Sequence, residues 1–60
     1  MIDFLDYWKD GDAIGVYAAL DAGGAVLAAV RDAGYRSIEH ARDFITDDAG
    51  DLVILAIPAA

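Results

Sequence analysis

The chain has no cysteine, asparagine or glutamine, and only one each of histidine (His40), serine (Ser37), threonine (Thr46), lysine (Lys9) and proline (Pro58). Each absence removes a class of chemistry. Without cysteine there is no disulfide staple and no thiolate zinc site. With so few hydroxyls and a single imidazole, the convergent nucleophiles, bases or ligands of an active site have little to draw on. The sequence therefore predicts a non-enzymatic protein with no catalytic, metal or cofactor-binding residues. Cations are scarce as well: four Lys and Arg stand against eleven Asp and Glu, a formal charge of −7. Phosphate backbones and anionic membranes are held by clustered Lys and Arg, so direct nucleic-acid and membrane binding are both disfavoured. What such an acidic surface suits is solubility, a basic protein partner, or imitation of nucleic acid.

Sixty residues read as one small domain, 1–60. A chain of this size buries only about 60% of the surface its unfolded form exposes, so its stability margin is thin. The apolar fraction of 58% includes thirteen alanines, each of which contributes little burial. With no disulfide available, a homo-oligomer or a larger protein partner is expected to complete the core. Met1-Ile2-Asp3-Phe4-Leu5-Asp6 is acidic where a secretion signal is basic, which points to a cytoplasmic protein. Ala13 to Val30 carries Asp21 as its only charge and approaches transmembrane length. Its alanines, the central Asp21 and the Gly23-Gly24 break argue against a membrane span.

Asp- and Gly-rich clusters at 9–12, 21–24, 32–34 and 47–51 mark turns and divide the chain into five segments. Residues 2–9 place Ile2, Phe4, Leu5 and Trp8 at helical spacing behind early acids, which predicts a short amphipathic helix. Ala13–Leu20 and Ala25–Val30 are predicted as a β-hairpin turning at Asp21-Ala22-Gly23-Gly24. Their alanines leave two helices as the alternative, which would give a three-helix bundle with a C-terminal strand. Ser37 as N-cap and the stripe Ile38, Ala41, Phe44 and Ile45 predict a helix over 38–46. Leu-Val-Ile-Leu-Ala-Ile at 52–57, stopped by Pro58, predicts a strand buried on both faces. The expected fold is α+β in the order α-β-β-α-β. Its three-stranded sheet combines hairpin 13–30 with strand 52–57, the latter running parallel to a hairpin strand. Helix 38–46 is expected on one face of that sheet, and residues 2–9 or a second subunit on the other.

Few residue patterns carry chemistry. Asp10, Asp12, Gly15 and Asp21 overlap a calcium loop, but Ile14 stands where an oxygen ligand is required. A turn leading into a strand accounts for them better. Gly23-Gly24 superficially matches a double-glycine export signal, but Asp21 occupies a position that is apolar in such leaders, and a turn explains the pair. The neighbouring carboxylates Asp47 and Asp48 lie in a turn, the opposite of the buried setting that raises a carboxyl pKa for acid–base work. His40 is expected as a solvated surface histidine. The aromatic and guanidinium side chains Tyr7, Trp8, Tyr17, Tyr35 and Arg36, with His40, form the candidate interface, because such groups anchor protein contacts.

Three functional classes follow. The preferred one is a non-enzymatic acidic interaction module: a regulator, accessory subunit or inhibitor that binds another protein, with self-association. The second is a nucleic-acid mimic, which needs carboxylates in rows rather than in turns. The third is a ligand or catalytic site built at an oligomer interface from Tyr35, Arg36, Glu39 and His40.

Overall fold

A computed structural model describes residues 1–59. It contains β1 (Ile2–Trp8), β2 (Ala13–Ala19), α1 (Ala22–Asp32), α2 (Ile38–Arg42) and β3 (Ile54–Pro58). The sheet order is β2-β1-β3, and both pairings are antiparallel. This is the α+β class with a three-stranded sheet that the sequence predicts. The membership of the sheet differs.

Residues 2–8 form the central strand rather than a helix. Ile, Phe, Tyr and Trp favour a pleated surface, and alternation sends Phe4, Asp6 and Trp8 to one face and Leu5 and Tyr7 to the other. Asp10-Gly11 closes the β1–β2 hairpin. Gly11 takes φ +112°, its N–H donates to the Trp8 carbonyl at 2.8 Å, and the Asp10 carboxylate accepts from the Asp12 N–H at 3.1 Å. Between Asp6 and Tyr7 the register slips, so Asp6 faces Gly15 and Tyr7 faces Ala13. Ile14 is the extra residue of this bulge, and it packs on the core instead of following Val16 outward.

The hairpin expected over 13–30 is replaced by a strand and a helix. Asp21 is not a turn residue between strands. As the N-cap of α1, its carboxylate accepts from the Gly24 N–H at 2.8 Å, and the alanine-rich run behind it takes its preferred helical state. Gly34, at φ +101°, ends the segment, and the Tyr35 N–H returns to the Val30 carbonyl at 3.1 Å. Gly23 has ordinary helical space around it, with only Asp21 Oδ1 within 4 Å of an added Cβ, at 3.6 Å. Gly23→Ala is therefore expected to raise the unfolding free energy by about 0.5–1 kcal/mol, read from a denaturant midpoint.

The helix expected over 38–46 ends at Arg42. Beyond it, Thr46 bridges to Leu52 and the Val53 N–H reaches the Ile45 carbonyl at 3.3 Å, so the chain is drawn into extended pairing. Ser37 does cap this helix, accepting from the His40 N–H at 3.1 Å. The C-terminal strand begins at Ile54 rather than Leu52. It points the same way as β2, but β1 lies between them, so it makes no parallel pairing. Nor is it buried on both faces: Ile54 is 3% exposed, whereas Leu55 and Ile57 are 40% and 47% exposed on an edge strand.

The core lies between one sheet face and the helices. Phe4, Ala19 and Ala25 form one cluster; Ala29, Val30, Ala41 and Ile54 form the other. Ala41 brings α2 into the second cluster beside α1. Neither residues 2–9 nor any other described element covers the opposite face. Among the described residues no helix is long and apolar enough to cross a membrane, and the stretch 13–30 divides between β2 and α1.

Candidate functional site

The candidate residues are distributed over three places. Tyr7 lies on the uncovered sheet face. Register places Leu5 between Val16 and Ile57, and Tyr7 between Ala13 and Leu55, so two apolar rows cross all three strands. Val16 is 60% exposed; with Leu55, Ile57 and the half-buried Leu5 and Tyr7 it makes a continuous apolar surface. Asp3 alternates with Leu5 and Tyr7, so it shares this face at one end.

Trp8 and Tyr17 face the other way and are engaged within the fold. Trp8 packs against the second core cluster and lines a shallow groove of about 470 Å³ with Lys9, Asp10, Asp47 and Val53. Lys9 reaches Asp47 across this groove in the one ion pair among the described residues. Asp47 also accepts the N–H groups of Ala49 at 3.0 Å and Asp51 at 2.9 Å. The Lys9 hydrogen bond, followed by these backbone donors, holds the Asp47 carboxyl below its ordinary range. Asp47 thus organises the 47–51 turn and is far from the raised pKa that proton transfer uses. The Tyr17 hydroxyl donates to Asp32 Oδ2 at 2.9 Å, tying β2 to the end of α1. Burial, then that bond, raises the Tyr17 pKa.

Tyr35, Arg36 and His40 do come together, around the start of α2. The Arg36 N–H donates to His40 Nδ1 at 3.0 Å. The imidazole meets Tyr35 at 5.6 Å and Phe44 at 5.4 Å between ring centres, both edge to face. His40 is therefore half-buried and held on one nitrogen rather than freely solvated, because Phe44 follows it by one helical turn. Phe44, expected in a buried stripe, is 67% exposed and caps this aromatic cluster. Glu39 is exposed on the same short helix.

Asp6 is the residue that sequence reasoning misses. It lies mid-way along the central strand on the helix-covered face, 0% exposed, with neither carboxyl oxygen hydrogen-bonded. Its cross-strand neighbours are the small residues Gly15 and Ala56, and the Tyr17 ring leans over Gly15, 3.4 Å from where a Cβ would stand. Burial pushes the Asp6 carboxyl from 3.8 up to about 6. A raised carboxyl pKa often marks a catalytic acid, yet here both oxygens are closed to solvent and so to any substrate. The alternation Phe4-x-Asp6-x-Trp8 carries the signal, but it is legible only once the segment is read as a strand.

The residues 10–21 of the apparent calcium loop do not converge. Asp12 and Asp21 stand at opposite ends of β2, and among the described residues no cluster of three acidic or imidazole groups could hold a metal. Comparison with protein-family models, with curated proteins and with solved structures finds no match, so the functional reading rests on the residues themselves.

Proposed function

We propose that this protein is a non-enzymatic interaction module that binds another protein through the open face of its sheet. The single observation that supports this most is the uncovered apolar surface of Leu5, Tyr7, Val16, Leu55 and Ile57. An antiparallel sheet commonly leaves one face to solvent, but that face is then polar. Here its large side chains are aliphatic or aromatic and Asp3 is its charged member, which suits a face covered in a complex. Roles as a regulator, accessory subunit or inhibitor are all consistent with that mode of binding.

The other classes draw less support. Mimicry of nucleic acid requires rows of carboxylates, whereas Asp10, Asp12, Asp47, Asp48 and Asp51 crowd two turns at one end of the sheet. A site built on Tyr35, Arg36, Glu39 and His40 has one imidazole nitrogen already occupied by a backbone donor, and the neighbouring Ser37 hydroxyl is engaged in capping α2.

A Val16→Ser/Leu55→Ser/Ile57→Ser variant tests the reading. These positions are exposed, so the variant should keep its far-ultraviolet circular dichroism while capture of partners from source-cell lysate falls on the order of tenfold or more. Arg36→Ala/Phe44→Ala should capture the same partners as the parent. Undiminished capture by the triple variant would sink the reading.

A further inference from the structure

Resting on the reading above, we propose that the open sheet face takes one basic amphipathic helix of a partner protein. Three strands spaced about 4.8 Å apart put the outer strand axes roughly 10 Å apart, close to the diameter of a single helix. The covered face already carries one principal helix, α1, which contacts all three strands. The seven residues of β1 extend about 23 Å, the length of roughly fifteen helical residues.

Charge decides the sign of the partner. At one end of the apolar rows stands Asp3. At the other, the 9–12 and 47–51 turns gather five carboxylates, and their one cation, Lys9, is already paired with Asp47. A helix with Lys or Arg near both ends of its apolar stripe meets acids at both ends, and the net charge of −7 steers it inward. A second copy of this chain fits the face less well. Stacking two such faces would set −7 against −7, with an Asp3 on each surface.

The experiment uses the whole chain, isotope-labelled, and two helical peptides of about sixteen residues with identical leucine stripes. One carries Arg at both ends and the other Glu. The Arg peptide is expected to bind at micromolar concentration, with amide shifts concentrated on β1 and β3, and the Glu peptide on the order of tenfold more weakly. Val16→Ser/Ile57→Ser should abolish that binding. Asp3→Asn should weaken it severalfold and flatten its decline with salt. Equal binding of the two peptides, binding of neither, or shifts confined to the outer edge of β2 would overturn the proposal. So would a native mass showing that the protein alone is a dimer with this face covered. If both peptides fail while lysate capture still depends on Val16, Leu55 and Ile57, the helix proposal falls and the interaction reading stands.

Discussion

Asp6→Asn is expected to remove most of the acid-side pH dependence of stability. In the unfolded chain this carboxyl releases its proton around its ordinary 3.8, whereas in the fold it holds the proton to about 6. Below the first value both states are protonated, and Asp6 carries no ionisation penalty. Between the two values the folded state binds more protons than the unfolded, so stability falls as pH rises. Above the second the loss is complete. At about 1.4 kcal/mol per pH unit, the difference amounts to about 3 kcal/mol lost between roughly pH 4 and pH 7. That is a large share of the margin open to a domain this small. Repulsion among the remaining acids also relaxes on acidification, so the difference between parent and variant is the informative quantity. Urea unfolding of both proteins across this range should show the parent losing stability steeply as pH rises and the D6N variant losing little. Parallel slopes would mean that the carboxyl is hydrated in the native state.

The same residue explains where sequence reading succeeds and where it stops. The turns at 9–12, 32–34 and 47–51, the Ser37 cap, the presence of a C-terminal strand and the α+β class are legible, because Asp, Gly and Pro act locally, whereas 21–24 opens α1 instead of turning a hairpin. Residues 2–8 are not, because Ile2, Phe4, Leu5 and Trp8 fit helical spacing as well as a pleat, and Asp3 and Asp6 fall one on each face of the strand, which leaves no polar face to mark a period of 2. An inward Asp6 then passes for a helix-start acid. Alanine creates the second ambiguity. In 22–32 it fits either a helix or a pleated face, and the choice rests on whether Asp21 and the glycines cap or turn. Once the assignment of 2–8 changes, the central strand changes with it, and so does the identity of the face left open. The candidate interface is legible only in part for the same reason. Tyr7 and Tyr17 look alike in sequence, yet alternation sends one outward and the other onto Asp32. Phe44 leaves its expected stripe because the helix stops at Arg42.

Ile54→Ala and Ile57→Ala are expected to differ sharply, although both lie in one five-residue strand. Ile54 pairs with Trp8 and packs with Ala29, Val30 and Ala41, three small side chains that cannot expand into a vacated space. Removing its side chain beyond Cβ should cost about 2–5 kcal/mol, transfer and cavity contributions together. In a chain with so little core, that places the variant near or beyond its unfolding midpoint. Ile57 pairs with Leu5 on the open face and is already half in water. Its truncation forfeits only the remaining burial, under about 1 kcal/mol. Ile54→Val, which deletes a single methyl, keeps the comparison measurable if Ile54→Ala does not fold, with an expected cost of about 0.5–1.5 kcal/mol. Denaturant melts at fixed pH provide the check. Equal costs at positions 54 and 57 would mean that both faces of β3 are packed, and the open face on which the proposed partner binding rests would not exist.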